Sequence, residues 1–467
     1  MHAEPEKLTM ESQAEAASAS DGVAEGEPLS KNARKRLLKI EQKASRKEKR
    51  REEKRMRREL HKARDEDEDA GASSSAITII EPRRALTLEE HCDAAWATWR
   101  RLGTPRCVLA PMVNQSELAF RMLARRHGAG LTYTPMLHST RFAAEEQYRS
   151  ENFDEHSADR PLVVQFCGDD PATLLAAARH VQSRCDAIDL NCGCPQAIAR
   201  RGHYGAFLLD EPDLIVRIVQ VLSTSLAVPV FVKIRVLPAA DGSVDTQATI
   251  ELARRLQAAG CSLLTVHGRT RVQKCACECD WATIAAVKAA LSIPVVANGG
   301  VEAPEDLDRC LAATRCDAVM TSEAALENPA MVGGVPTSRV AQVAVAREYM
   351  ALARAHPPRG LAVLKAHFFK LLFMALEVHK DLRERLGSAL DAESLYAVVT
   401  AACEREEAEA LARPAEMAVR CDREGAPSIT WYRRHRSSTR PAEAAPAEAA
   451  PAEAAPAEAV PADAAEP

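Results

Sequence analysis

Residues 187–196 read A-I-D-L-N-C-G-C-P-Q, an apolar run that closes on Asn191 and then turns sharply. Gly193 permits tight backbone geometry, and Pro195 prevents a strand or a helix from continuing through it. A short apolar run of this kind is typical of a strand that is buried on both faces in a parallel sheet. The stretch therefore predicts a buried strand followed by a sharp loop that carries Cys194.

A related pattern extends over residues 104–335, where short apolar runs alternate with stretches of helical periodicity. Parallel strands buried on both faces require helical crossovers, and a succession of such units indicates a (β/α)8 barrel. We therefore predict an α/β fold, with a TIM barrel over residues 104–335. The runs are CVLAPM (107–112), LTYTPM (131–136), LVVQF (162–166), AIDLN (187–191), VPVFVKIR (228–235), LLTVHG (263–268), IPVVANG (293–299) and DAVMTS (317–322).

Polar or conformationally special residues close these runs. In a barrel the carboxyl ends of all strands share one rim, where barrel enzymes keep their chemistry. A single polar strand end is common, but amide, amine, imidazole and glycine groups around one rim indicate a functional site. The residues are Asn114, Thr134, Gln165, Asn191, Lys233, His267, Asn298–Gly300 and Ser322–Glu323.

Residues 338–415 carry apolar residues at three- and four-residue spacing, which predicts a small all-α domain after the barrel. The Pro-Pro pair at 357–358 separates its first two helices. The predicted helices are 339–356, 361–386 and 393–412. An exposed polar face is the preferred interpretation for four residues of the second helix, and a basic face toward RNA is the alternative. These residues are Lys365, His367, Lys370 and His379.

The two ends of the chain have compositions that do not favour a packed core. Residues 1–85 are predicted to be a disordered extension that contains a basic helix at 31–64. Residues 416–467 are predicted to be a disordered tail with P-A-E-A-A repeats. The basic helix suggests a polyanionic partner, while a solvated helix or a nuclear-import signal explains it equally well.

The chain has 467 residues, a formal net charge of −5 and 14 cysteines. Its first ten residues contain no apolar signal core, and no apolar run reaches the ~18 residues that would span a bilayer. Cysteines scattered through a long chain of this kind favour a reducing compartment, where most thiols are small buried hydrophobes. We therefore expect an intracellular, cytoplasmic or nuclear monomer without a membrane partner.

Cys192 and Cys194 are one residue apart, which is closer than paired zinc ligands usually lie. The run K-C-A-C-E-C-D (274–280) adds three cysteines that could complete a site, but we predict no metal. An ordinary thiol, with a pKa of ~8.5, is mostly protonated at neutral pH, which suits a general acid. Cys194 is therefore the candidate catalytic residue, as a proton donor, because a nucleophile needs a base that the sequence does not show. Cys192 is expected to pack.

Lys233 ends the fifth run and has two interpretations: a Schiff-base lysine, as in barrel aldolases, or a fixed cation that faces an anionic cofactor. Asn298–Gly300 and the turn after Val319-Met320 follow the seventh and eighth runs, where barrels commonly bind a phosphate group. A cofactor with one phosphate and a ring that needs Gln and Lys contacts fits FMN. No G-x-G-x-x-G motif follows a strand, so a dinucleotide-binding domain is not predicted.

Eight motifs follow one another along the chain: A-P-M-V-N-Q-S-E (110–117), T-P-M-L-H (134–138), V-Q-F-C (164–167), D-L-N-C-G-C-P-Q (189–196), R-G-H-Y-G-A-F-L (201–208), K-I-R-V (233–236), T-V-H-G-R-T (265–270) and A-N-G (297–299). In this order they resemble the tRNA-dihydrouridine synthases. The Q-F-C and R-G-H-Y-G-A-F-L motifs are most similar to the eukaryotic subfamily that modifies uridines at positions 16 and 17 of the tRNA D-loop. The resemblance covers the barrel and, more loosely, the helical domain, but not the tails.

The resemblance implies an enzyme that binds FMN, takes hydride from NADPH or NADH, and reduces the uracil C5–C6 double bond in the tRNA D-loop. It implies that Cys194 protonates C5 and that Asn191 hydrogen-bonds the uracil, with Arg269 as a further candidate for holding the RNA. The helical domain and the basic helix would supply the other RNA contacts. The residues implied for FMN are Pro111, Met112 and Val113 along the ring, Gln165 and Lys233 at the ring edge, and His267, Asn298, Gly299, Gly300, Ser322 and Glu323 at the ribityl chain and phosphate.

Two stretches depart from the family pattern. Many members have Gly-Arg-Gly after the eighth strand, where this chain has T-S-E-A-A (321–325), and the subfamily usually keeps a glycine at the position of Ala324. The loop after His267 is shortened and rich in cysteine, and it ends at Asp280-Trp281. The T-S-E-A-A stretch lies where the family binds the cofactor phosphate. The loop after His267 lies where the family closes over its substrate.

Three other functions are compatible with parts of the sequence. An FMN barrel oxidoreductase acting on a free pyrimidine or another small molecule would need neither the helical domain nor the basic helix. A catalytically silent RNA-binding protein would not need the full set of Asn191, Cys194, Lys233 and His267. An aldolase that uses Lys233 would leave Cys194 and the Asn-Gly-Gly loop unexplained.

Overall fold

Eight parallel strands close into a barrel in the computed structural model, which describes residues 86–273 and 277–412. Each strand pairs in parallel with its neighbours, and the last pairs with the first. The predicted barrel is confirmed, because every predicted run contains most or all of one strand. The strands are β1 Cys107–Leu109, β2 Leu131–Tyr133, β3 Leu162–Cys167, β4 Ala187–Cys192, β5 Val230–Arg235, β6 Cys261–His267, β7 Val295–Asn298 and β8 Ala318–Thr321.

Helices follow the strands and then continue as a helical region after the barrel. A two-residue strand, Leu137–His138, extends the sheet beside β3, and Leu237–Pro238 pairs with Val244–Asp245 in a short hairpin. The helices are α1 Leu88–Arg101, α2 Leu118–Arg126, α3 Ser139–Ala144, α4 Glu146–Asn152, α5 Pro171–Arg179, α6 Ala197–Gly202, α7 Pro212–Ser225, α8 Thr246–Ala258, α9 Trp281–Ala290, α10 Pro304–Thr314, α11 Glu323–Glu327, α12 Arg339–Ala355, α13 Leu361–Leu371, α14 Phe373–Val378, α15 Lys380–Ser388 and α16 Ala392–Ala412.

The predicted disordered extension, its basic helix and the P-A-E-A-A tail lie outside the described residues. None of the helices within the described ranges has the length and apolar character needed to cross a membrane.

Helix α1 lies in a segment for which the hydrophobic pattern predicts no element. It begins with a capping box, in which Thr87 and Glu90 each accept a hydrogen bond from the other's backbone N–H. Its Trp99 is buried against barrel residues that include Val108 and Phe231, so the helix covers the end of the barrel opposite the loops that carry the polar strand ends. The T-L-E-E sequence at 87–90 was the signal that could have revealed it.

The single helix predicted at 361–386 is wrong, because three helices occupy this segment. The backbone leaves helical geometry at Leu372 and His379. At the first break the Gln342 side chain accepts a hydrogen bond from the backbone N–H of Met374 at 2.9 Å. At the second, the His379 ring turns inward to Glu406, with Nε2 2.7 Å from the carboxylate. Contacts with α12 and α16 therefore stabilise breaks that the apolar spacing does not indicate.

The predicted exposed polar face on this segment is also wrong for its two histidines. His367 and His379 are both buried, whereas Lys365 and Lys370 are half-buried. His367 lies 2.9 Å from the carboxylate of Glu117, which precedes α2 in the barrel, and the Tyr349 hydroxyl donates to the same carboxylate at 2.8 Å. Burial alone would raise the pKa of Glu117, but the two partners lower it overall. This cluster joins the helical region to the first β/α unit.

A buried ion-pair network supports α2 from the other side. Arg121 Nε lies 2.7 Å from Asp159, and both side chains are fully buried. Arg125 Nε donates to the other oxygen of the same carboxylate at 2.9 Å, and the Thr132 hydroxyl donates to it at 3.1 Å. Because Asp159 is the common acceptor, its loss would leave the Arg121 cation buried without its closest carboxylate.

We predict that Asp159→Ala lowers the free energy of unfolding by about 3–5 kcal/mol, the usual cost of removing one member of a buried ion pair. The matched control is Glu145→Ala, which removes an exposed ion pair with Arg141 and should cost less than about 1 kcal/mol. Urea denaturation measures both. Equal midpoints for the two variants would show that the network does not stabilise the fold.

Candidate active site

A cavity of about 450 Å³ opens at the carboxyl ends of the barrel strands. Most of the predicted site residues line it, although they come from seven different strand ends and loops. These residues are Pro111, Met112, Val113, Gln165, Asn191, Cys194, Lys233, His267, Asn298, Ser322 and Glu323. A second cavity of about 360 Å³ lies between α12, α13 and α16, on the helical region.

The loop after β4 is held in place by Asn191. The side-chain Oδ1 of this residue accepts hydrogen bonds from the backbone N–H groups of Gly193 and Cys194, each at 3.0 Å. The Cys194 carbonyl accepts from the Ala206 N–H at 3.0 Å. Gly205 has a φ of +70°, and a Cβ at this position would lie 2.7 Å from that carbonyl. Only glycine therefore allows the segment after α6 to pack this closely on the cysteine loop.

The two cysteines of the opening stretch have different environments. Cys192 is fully buried in the barrel core, and burial raises the pKa of its thiol. The prediction that it packs is therefore confirmed. Cys194 is half-buried and lines the cavity. Of the two cysteines, Cys194 is therefore the one that lines the cavity.

Arg235, which the sequence reasoning missed, clamps the cysteine loop from the end of β5. Its Nε donates to the Gly193 carbonyl at 2.7 Å, and its Nη1 donates to the Thr270 carbonyl at 3.0 Å. The side chain thus ties the loop after β4 to the loop after β6 while it lines the cavity. Its position two residues after Lys233, on the same face of β5, was the available signal.

Two amides and a carboxyl group connect β3 to β4 beneath the cavity. Asn191 Nδ2 donates to Gln165 Oε1 at 2.8 Å, and Gln165 Nε2 donates to Asp189 Oδ2 at 2.8 Å. Asp189 is fully buried, and burial raises its pKa to about 7 although Gln165 and Lys233 oppose the shift. The strand register places Gln165 opposite Asp189 and Asn191 opposite Lys233, which explains why these side chains meet.

Lys233 is the cation at the floor of the cavity. Burial and the neighbouring Arg235 lower its pKa to about 8, while Asp189 raises it. Burial and three cations, Arg235 first, hold the pKa of His267 well below its ordinary value, so this imidazole is neutral at neutral pH. The β5–β6 side of the cavity thus offers positive charge and a neutral ring.

The Asn-Gly-Gly turn after β7 adopts a conformation that requires glycine. Gly299 and Gly300 have φ values of +101° and +79°, and a Cβ on Gly299 would lie 2.7 Å from the His267 ring. Asn298 Nδ2 donates to the Met320 carbonyl at 3.0 Å and fixes β7 against β8. The two glycines shape this side of the mouth without lining the cavity themselves.

Arg269 does not face the cavity. Its side chain is buried, and Nε donates to the Cys277 carbonyl at 2.7 Å within the cysteine-rich loop. In this structure Arg269 supports that loop, and the predicted contact with RNA has no geometric support.

Lys370 is a cavity residue that comes from the helical region. Its Nζ donates to Gln115 Oε1 at 2.6 Å, and both residues line the cavity beside Glu323. Burial lowers the pKa of Lys370 to about 8, and Glu323 and Glu327 oppose the shift. No sequence signal identifies this contact, because it depends on how α13 docks on the loop after β1.

Metal ligation has one geometric candidate among the described residues, the group of His379, Glu406 and Glu409 in the helical region. Arg339 occupies the space between its carboxylates, with Nε 2.7 Å from Glu406 and Nη2 2.7 Å from Glu409. This group is therefore an ion-pair network. Part of the K-C-A-C-E-C-D run lies outside the described residues.

The fold and the cavity define a (β/α)8-barrel protein with a cysteine, a lysine and two amides gathered at the strand ends. Residues 108–412 match the family described as dihydrouridine synthase (Dus). The chain belongs to the dihydrouridine synthase family.

Curated relatives include tRNA-dihydrouridine(16/17) synthase [NAD(P)(+)]-like from Mus musculus, 48% identical over 64% of this chain and 62% of that protein. The tRNA-dihydrouridine(16/17) synthase [NAD(P)(+)] of Saccharomyces cerevisiae is 42% identical over 62% of this chain and 70% of that protein. The tRNA-dihydrouridine(20a/20b) synthase [NAD(P)+]-like of Homo sapiens is 36% identical over 49% of this chain and 70% of that protein. The match with the mouse protein thus spans less than two thirds of that relative's length.

Proposed function

We propose that this protein is a tRNA-dihydrouridine(16/17) synthase that uses FMN and takes its reducing equivalents from NADPH or NADH. The observation that carries the proposal is the placement of Asn191 at the end of β4 and of Cys194 on the loop after it, facing the same cavity as Gln165 and Lys233. The names of the mouse and yeast relatives support the choice of substrate and of the D-loop positions.

The residues present fit a flavin. The cavity volume lies within the range of roughly 300–1,000 Å³ that is usual for cofactor sites. Gln165 offers an N–H and Lys233 an ammonium group, which suit the oxygen- and nitrogen-rich edge of an isoalloxazine ring, and Pro111–Val113 supply a wall for its face. When bound, FMN supplies the hydride that adds to C6 of the uracil.

The chain's own residues would handle the proton and the orientation of the base. The Cys194 thiol holds the proton that C5 receives, and the resulting thiolate regains a proton from solvent. Asn191 fixes the loop through two hydrogen bonds and presents an N–H to the cavity. The Lys233 cation favours an anionic ring at the cavity floor.

The ribityl chain and the phosphate group would lie beside the ends of β6, β7 and β8, where His267, Asn298, Ser322 and Glu323 line the cavity. Gly299 and Gly300, predicted to contact the same groups, would instead shape the turn beside them. Ser322 and Glu323 line the cavity, whereas Ala324 is buried behind them. The methyl group of Ala324 therefore faces the protein interior and does not narrow the cavity.

The helical region would bring the RNA to the barrel. A uridine must leave its stack to reach a cavity of this kind, so the protein must hold the flanking phosphates while the base is extruded. Lys370 places a cation of the helical region at the rim of the cavity, beside the loop after β1. A small free pyrimidine would not require this contribution.

We predict that Cys194→Ala retains FMN and oxidises NADPH in air, but forms dihydrouridine in tRNA about 10²–10⁴-fold more slowly, because the general acid is absent. Cys192→Ala is the matched control, since its thiol is buried away from the cavity. Flavin absorbance and mass spectrometry of digested tRNA provide the readouts. A colourless protein that cannot be reconstituted with FMN, or a Cys194→Ala variant of normal rate, would contradict the proposal.

We predict that Lys370→Gln weakens tRNA binding and lowers the slope of log Kd against log salt by about one, as expected for the loss of one phosphate contact. The change removes the positive charge and leaves a polar amide that can donate a hydrogen bond. Lys380→Gln, on the exposed surface of α15, is the control. Binding titrations from low to moderate salt give the slopes, and a slope equal to that of the unaltered protein would exclude the contact.

A further inference from the structure

A continuous chain of hydrogen bonds runs from the cysteine loop into the barrel interior. The backbone N–H groups of Gly193 and Cys194 donate to Asn191 Oδ1. Asn191 Nδ2 donates to Gln165 Oε1, and Gln165 Nε2 donates to Asp189 Oδ2. All links measure 2.8–3.0 Å.

The direction of every link follows from the backbone. The two backbone N–H groups can only donate, so the Asn191 atom that faces them must be the oxygen. The Asn191 amide nitrogen then faces Gln165, so the Gln165 amide oxygen must be the acceptor of this hydrogen bond. The Gln165 nitrogen is thereby turned toward Asp189, where only an acceptor satisfies it. The Asp189 carboxyl oxygen supplies the acceptor that this series of hydrogen bonds requires.

We propose that Asp189 is a positioning residue whose carboxyl oxygen, acting through Gln165 and Asn191, holds the Cys194 loop and turns both amides so that each presents an N–H to the cavity. Asp189 is fully buried and lies outside the set that lines the cavity, so it acts only through these neighbours.

The orientation of the amides has a consequence for specificity. Asn191 Oδ1 is occupied by two donors, and each amide nitrogen uses one of its two hydrogens within the chain. No described residue accepts the second hydrogen of either amide, and both residues line the cavity. The site therefore offers one N–H from Gln165, which suits the flavin ring, and one N–H from Asn191, which selects a carbonyl oxygen of the substrate ring. Naming this carbonyl as one of uracil rests on the proposed function; the positioning role itself does not.

A rival explanation is that Asp189 serves as a counter-charge for Lys233, since the two groups influence each other's ionisation. The two roles differ in what they require, because the positioning role needs an acceptor at Oδ2 and the counter-charge role needs a negative charge. Asparagine supplies the acceptor without the charge, and leucine supplies neither at similar size.

The test compares Asp189→Leu with Asp189→Asn in flavin-free protein, with iodoacetamide as the probe. Mass spectrometry gives the alkylation rate of Cys194 relative to the exposed Cys277 of the same molecule. In Asp189→Leu we expect the relative rate to rise roughly tenfold. Gln165 loses its acceptor in this variant, so the Asn191 amide is no longer fixed and holds the Cys194 loop less firmly. Asp189→Asn should stay within about threefold of the unaltered protein.

Activity provides the second arm. Asp189→Leu should lower kcat for dihydrouridine formation roughly tenfold or more, and Asp189→Asn should restore kcat. If Asp189→Leu does not fold, Gln165→Met interrupts the chain one step nearer the loop and should give the same rise in Cys194 alkylation. Equal damage in Asp189→Asn and Asp189→Leu, or an unchanged alkylation rate in Asp189→Leu or Gln165→Met, would overturn the positioning role. If the unaltered protein forms no dihydrouridine, the proposed function fails while the alkylation arm still decides the role of Asp189.

Discussion

Two backbone N–H groups, those of Gly193 and Cys194, share one acceptor, Oδ1 of Asn191, and the arrangement of the cavity depends on this pair of hydrogen bonds. They bend the chain sharply at the end of β4, so that Cys192 stays in the core while Cys194 faces the cavity. They also fix the direction of the Asn191 amide, and with it that of Gln165. Arg235 then donates to the Gly193 carbonyl of the bent loop, and Gly205 allows the following segment to pack closely on Cys194.

The barrel and the helical region contribute to the same site. Glu117 joins the barrel to the helical region through hydrogen bonds with Tyr349 and His367. Because these groups are buried, leaving any of them without a partner would destabilise the fold. The same docking brings Lys370 to the cavity beside Gln115. Under the proposed function, a base would need the cavity and its flanking phosphates would need a nearby cation, and Lys370 would supply that cation from this interface.

Much of the barrel and its rim could be predicted from the sequence, because buried parallel strands leave continuous apolar runs and their polar ends mark one edge. What could not be predicted depends on contacts between distant segments. The breaks at Leu372 and His379 are stabilised by Gln342 and Glu406. The burial of Arg269 depends on a loop whose path no local pattern indicates. The role of Asp189 follows from strand register, which brings Gln165 opposite it.

The most direct test of the proposed function is to map dihydrouridine at single-nucleotide resolution in tRNA from cells that lack this protein. The proposal predicts that dihydrouridine disappears from positions 16 and 17 of the D-loop, remains at other positions, and returns when the unaltered chain is expressed. Unchanged dihydrouridine at positions 16 and 17 would contradict it.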